Sequence, residues 1–254
     1  MKIRVLGCYG SEFPDYHITT FLINDSLLLD AGTVTSVLTL DEQTQIHNIL
    51  VTHCHLDHTK DILFLADNVV GKENGSIEII SISQVIDNLK LHLLNDKIWP
   101  DFTIIPTTKK PTLQFRTIET KKTFHVNGLR VKAVFVNHTV DAVGYIISDE
   151  KSSIIYTGDT GPTDELWQEA NELTDLKAVI IETSFPDHLH TLAEMSGHLT
   201  PLMLKDQLDK LRNHDPSILI FHMKPQYLKE LKKDIARLKN PNIIVLKQGD
   251  VFEF

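Results

Sequence analysis

Cysteine is scarce in this sequence: Cys8 and Cys54 are the only two among 254 residues. That excludes a disulfide framework and makes a reducing compartment the simpler expectation. Basic residues are also in short supply, with 25 Lys and Arg against 34 Asp and Glu and a formal charge of −9. Coating nucleic acid takes clusters of Lys and Arg that displace counterions, so no nucleic-acid partner is expected. No apolar run is long enough to cross a bilayer, and Met1–Leu6 breaks at Gly7 before a signal-peptide core builds. The expectation is a cytoplasmic protein with no membrane partner. Repeats, low-complexity tracts and linkers are absent from the sequence, so 1–254 reads as a single domain.

Histidine, by contrast, is in excess, at 13 residues, which points to metal ligation or proton transfer. Apolar runs predict strands at Ile3–Leu6, Thr20–Ile23, Ser26–Leu29, Ile46–Thr52 and Ile77–Ile82 in the first half. Helices are expected over Ile62–Val70 and Gln84–Asn95, with Pro100 enforcing a stop. The second half predicts strands at Leu113–Ile118, Leu129–Val136, Val143–Ser148, Ser153–Thr157, Ala178–Glu182 and Ile218–Phe221, with Ile243–Lys247 closing the chain. Its helices are expected at Thr163–Leu173, Pro201–Arg212 and Tyr227–Leu238. An α/β fold of two sheets packed face to face with helices outside satisfies this order. A doubly wound parallel sheet fits less well, because the strands between Leu113 and Thr157 follow one another too closely for crossover helices.

The chemistry concentrates in His53-Cys54-His55-Leu56-Asp57-His58. On an extended segment His53 and His55 project to one side, while Cys54 points the other way into packing. Asp57 and His58 sit where the chain turns into a helix and can aim at a second point. Imidazole with carboxylate suits zinc, or manganese or iron. One tetrahedral ion needs about four ligands, so further donors are expected downstream at strand ends. Three stand there: His138 after Val131–Val136, Asp159 in Thr157-Gly158-Asp159-Thr160, and His222 after Ile218–Phe221. Taken singly, Asp159 is a turn residue and His222 a core histidine. Beside the first cluster they become candidate ligands.

The H-x-H-x-D-H motif, the later His138, Asp159 and His222, and the upstream Leu28-Leu29-Asp30-Ala31-Gly32 together resemble the metallo-β-lactamase superfamily. The resemblance implies a four-layer αβ/βα sandwich with a dinuclear site on its edge. It assigns His53, His55 and His138 to one divalent ion, Asp57, His58 and His222 to the other, and Asp159 to the bridge. Asp30 would orient a ligand histidine from behind. Within that superfamily the run His92–Phe102, with Trp99-Pro100, resembles the class II cyclic-nucleotide phosphodiesterases. Gly197-His198-Leu199-Thr200-Pro201 and Glu182-Thr183-Ser184-Phe185 do so too. Thr59, Asp61, Ala66 and Asp67 depart from that family's pattern after the histidine cluster.

The activity so implied is hydrolysis of 3′,5′-cyclic nucleotides (cAMP or cGMP) to 5′-nucleotides, by attack of a metal-activated hydroxide on phosphorus. Asp57 would orient that hydroxide, His198 would protonate the leaving oxygen, and Trp99 and Phe102 would wall the base. Two divalent ions per chain, zinc first, would offset the local clash between acidic protein and anionic substrate. A homodimer is compatible with the sequence. The competing readings are a thioester or lactone hydrolase, a tRNA 3′-processing endonuclease, which the acidic balance disfavours, and a non-catalytic metal-binding scaffold.

Overall fold

The computed structural model describes residues 1–212 and 214–254. Two seven-stranded sheets form its centre. The first runs, edge to edge, Val251–Glu253, Lys2–Gly7, Thr20–Ile23, Leu27–Leu29, Asn48–Leu50, Ile77–Ser81, Leu113–Thr117. The second runs Ile243–Val245, Ser217–Phe221, Leu176–Glu182, Ser153–Tyr156, Val143–Ser148, Leu129–Phe135, Thr123–Val126. Each sheet is antiparallel in one half and parallel in the other. In the first, pairing turns parallel from Leu27–Leu29 onward, and in the second from Ser153–Tyr156 onward.

Side-chain alternation along the strands sorts the second sheet between two cores. Ile154, Tyr156, Ile180 and Phe221 face the first sheet in one buried cluster. Ile155, Val179, Ile181 and Ile220 face outward into another, which the helices Glu165–Ala170, Pro201–Leu208 and Leu228–Arg237 cover with Leu166, Trp167, Leu204, Leu231 and Ile235. On the far side, Leu56–Val69 and Ser83–His92 lay Ile62, Leu65, Ala66, Val85 and Leu89 on the first sheet. This is the expected helix–sheet–sheet–helix sandwich. Among the described residues no helix is long and apolar enough to cross a membrane.

Several predicted elements move. The helix expected from Ile62 begins at Leu56, so Asp57 and His58 occupy its first turn. The helix expected to reach Asn95 ends at His92, well before Pro100, because the Asn95 side-chain Nδ2 donates back to the Leu91 carbonyl at 2.8 Å and Leu94 bridges to Trp99. Ile243–Val245 does not close the chain: Val251–Glu253 follows it and pairs antiparallel with the first strand. The strand Thr123–Val126, unpredicted, forms a hairpin with Leu129–Phe135 through Asn127 and Gly128, both at positive φ (50° and 77°). That is the geometry an Asn-Gly hairpin turn demands.

Candidate metal centre

Sheet topology puts the chemistry on one rim. Parallel strands end together, so Asp30 after Leu27–Leu29 and Thr52-His53 after Asn48–Leu50 emerge side by side. Across the sandwich, Asp159, Glu182 and His222 follow or end three mutually parallel strands, and His138 follows a fourth running the same way. The seven residues predicted as ligands fall into two adjoining sets. One is His53, His55 and His138; the other is Asp57, His58, Asp159 and His222, and within each set the donor atoms lie within 4.8 Å of one another.

In the first set, His55 Nδ1 lies 3.1 Å from His53 Nε2 and 3.2 Å from His138 Nε2. The outer nitrogens fix the tautomers. His138 Nδ1 donates to the Gly197 carbonyl at 2.9 Å, and His53 Nδ1 donates to Thr52 Oγ1 at 3.0 Å, whose own proton goes to Asp30. His53 and His138 therefore both turn a lone pair toward His55 Nδ1, whose single proton can satisfy only one of them, whereas a cation between the three satisfies all. Tetrahedral zinc with Zn–N of about 2.0–2.1 Å sets nitrogens about 3.3 Å apart, close to what is found. Gly197 makes the approach feasible: it caps a helix at φ 66°, and a Cβ there would lie 3.0 Å from His138 Nδ1.

The second set centres on Asp159. Its Oδ1 lies 3.2 Å from His58 Nε2, and its Oδ2 lies 3.2 Å from His222 Nε2 and 3.8 Å from His53 Nε2. One carboxylate thus touches both sets. His58 Nε2 and Asp159 Oδ1 are buried and face each other at 3.2 Å. A proton between them satisfies both atoms, and a divalent cation can take that proton's place. Asp57 Oδ2 lies 3.2 Å from His222 Nε2 and, unlike Asp159, keeps part of its side chain exposed. His222 is held by Ser184 Oγ at 2.9 Å on its Nδ1 side and takes a left-handed backbone, φ 62°, a strained conformation typical of functional sites.

Behind the candidate ligands stand anchors. Asp30, fully buried, accepts the His58 Nδ1 proton at 2.7 Å, the Tyr156 hydroxyl at 2.5 Å, the Thr52 amide at 2.7 Å and the Thr52 hydroxyl at 2.9 Å. His198 Nδ1 donates to Glu182 Oε1 at 2.7 Å, and its ring stacks on that of His222 at 5.2 Å. Its Nε2 makes no hydrogen bond among the described residues.

Protonation follows from this packing. Burial, helped by the His58 charge, holds His53 well below its ordinary pKa, and burial likewise lowers His55 and His138. Burial also opposes a charge on His58, but Asp159, Asp30 and Asp57 outweigh it and raise its pKa well above normal. Asp159 is buried too, yet His222 and His58 hold its carboxyl well below the usual range. Asp57 is lowered by His58 and His222 against the same burial penalty. For His198, burial is overcome by Glu182, and the pKa rises.

Not every candidate joins the rim. Phe102 is 3% exposed inside the first core, where its ring has no face to offer a base. Trp99 is half-buried, its indole donating to the Leu63 carbonyl at 3.1 Å and its ring edge-on to Phe64 at 5.2 Å. Cys54 stands apart from both donor sets. Sequence reasoning left Thr52, Tyr156, Glu182 and Ser184 without roles. Glu182-Thr183-Ser184-Phe185 stands out in the sequence only by its likeness to a family, and polarity at the end of an apolar strand is the available signal for Glu182.

Residues 26–223 match the family model of the beta-lactamase superfamily domain. The chain is 25% identical over 241 residues to the probable 3′,5′-cyclic-nucleotide phosphodiesterase of Yersinia pestis, an alignment covering 82% of this chain and 68% of that protein. It is 30% identical over 192 residues to 3′,5′-cyclic-nucleotide phosphodiesterase 1 of Saccharomyces cerevisiae, covering 65% of this chain and about half, 51%, of that one. In fold it is similar to the crystal structure of unliganded yeast PDE1, with a TM-score of 0.82 over 98% of both chains at 19% identity.

Proposed function

We propose, from the premise that this chain belongs to the metallo-β-lactamase superfamily, that it is a two-metal phosphodiesterase opening 3′,5′-cyclic nucleotides to 5′-nucleotides. One observation carries the metal part: Asp159 touches both donor sets, through His58 and His222 at 3.2 Å and His53 at 3.8 Å. The names of the curated relatives support the substrate class. His53, His55 and His138 would hold one ion, Asp57, His58 and His222 the other, and Asp159 both. Nitrogen-rich donors favour zinc, with manganese or iron as alternatives.

Such ions, when bound, supply positive charge for the phosphoryl oxygens and lower the pKa of water toward neutrality. The chain's own groups do the rest. Asp57, the more exposed carboxylate, accepts a hydrogen bond from the attacking water and aims its oxygen at phosphorus, in line with the departing 3′ oxygen. His198 carries a proton on Nε2, and Glu182 at 2.7 Å from Nδ1 stabilises that charged form. Giving the proton up neutralises the leaving oxygen, the work of a general acid. His53, His58, Asp159 and His222 are buried, which limits the water that competes for their donor atoms. Two unpaired cysteines fit a cytoplasmic setting.

The test is turnover of cAMP, cGMP, bis(p-nitrophenyl) phosphate and a lactoyl thioester side by side, with metal content measured on the same batch. Cyclic-nucleotide turnover with two ions per chain is the expected result. Thioester turnover without phosphodiester turnover rejects the assignment.

A further inference from the structure

We propose that Lys224 is a substrate-binding residue of this site, taking an anionic oxygen of the phosphate at the rim of the metal centre; the proposal rests on the phosphodiesterase reading. Lys224 stands two residues beyond His222. Its Nζ donates to the Gly10 carbonyl at 3.1 Å and lies 5.2 Å from the Phe185 ring centroid. Both neighbours pack against residues of the site. Gly10 is pressed on His222, so that a Cβ there would come within 2.7 Å of Nδ1. The Phe185 ring lies 5.8 Å from that of His198. The ammonium is therefore seated between the surroundings of a ligand histidine and those of the proton donor.

Its state of pairing sets it apart. Lys224 is half-buried, and no carboxylate pairs with it among the described residues. Lys60, in the helix that carries Asp57 and His58, is instead paired with Glu12 at 2.5 Å. An ammonium has three donors, and one carbonyl and the face of a phenyl ring leave capacity over. Holding a partly desolvated cation without a counter-charge is unfavourable, and an arriving phosphate relieves that cost.

The experiment compares metal-loaded wild type, Lys224→Gln and Lys224→Arg. It measures KM and kcat on cAMP, binding of 5′-AMP and of inorganic phosphate by calorimetry, and metal content. Lys224→Gln should raise KM and weaken 5′-AMP by about ten- to a hundredfold, the range of a charged hydrogen bond. Metal content should stay at the wild-type level, and Lys224→Arg should restore most of the binding. Unchanged affinity for 5′-AMP and phosphate in Lys224→Gln overturns the proposal. Metal loss in both variants also overturns it, since Lys224 would then only brace Gly10 against His222. If wild type turns over neither cAMP nor cGMP, the phosphodiesterase reading alone fails, and phosphate binding still decides the role of Lys224.

Discussion

Asp30 Oδ2 and His58 Nδ1 lie 2.7 Å apart with both side chains fully buried. The carboxylate fixes which nitrogen of His58 keeps its proton and so which one faces the donor cluster. Asp30→Asn keeps the shape, but an amide nitrogen placed toward His58 Nδ1 or the Tyr156 hydroxyl meets a donor instead of giving an acceptor. Loss of such a support typically costs 10–100-fold in metal affinity, and about that loss is expected here. Chelator competition measures it. Wild-type affinity in Asp30→Asn would mean that His58 is oriented by other groups.

Asp159→Ala tests the bridge. Removing the carboxylate leaves His58 Nε2 without its counter-charge and separates the two donor sets. The expected outcome is no turnover and fewer than two ions per chain by elemental analysis. Near-normal activity would show that Asp159 is only the turn residue its Thr-Gly-Asp setting allows.

How much of this was legible beforehand follows from the range of the contacts. The H-x-H-x-D-H run is local, and strand-end polarity pointed to His138, Asp159 and His222 without any fold in hand. The sandwich followed from the strand-rich order of Leu113–Thr157. What stayed hidden depends on distant pairing. The Tyr156 hydroxyl reaches Asp30 across 126 positions, and nothing in either neighbourhood announces it. Val251–Glu253 is a strand only because the first strand offers it an edge. Trp99 and Phe102 were singled out by family likeness, and the apolar character that suggests a base wall is the same character that buries Phe102 in the core.

Metal loading should release a proton. In the metal-free protein His58 has a folded pKa raised well above its ordinary 6.5, so it is charged at pH 7. A ligand must offer a lone pair, so the ion displaces that proton. Zinc titrations in two buffers of different ionisation enthalpy should give different apparent heats. Equal heats would show that His58 was already neutral. The sign for stability follows by linkage. The contribution of His58 is fully present below its unfolded pKa and lost as pH rises through the folded one. That of Asp159, with a depressed pKa, is present above its unfolded value and lost as pH falls toward the folded one. Metal-free melting temperatures should therefore decline toward both extremes.

The Glu182–His198 pair should shape the pH–rate profile. His198→Ala should keep its metal and lose rate by roughly 10²–10⁴-fold, the range of an acid–base group. Metal loss in that variant would instead make His198 a ligand or a ligand's support. A general acid works only while protonated, so kcat should fall as pH rises through the His198 pKa. Glu182 raises that pKa against the cost of burial, which carries the active range upward. In Glu182→Gln the carboxylate charge is gone while the hydrogen-bonding shape remains. The alkaline fall should then begin at lower pH, with metal content unchanged. A profile that keeps its alkaline limb in Glu182→Gln would assign that limb to another group and remove His198 from the role of proton donor.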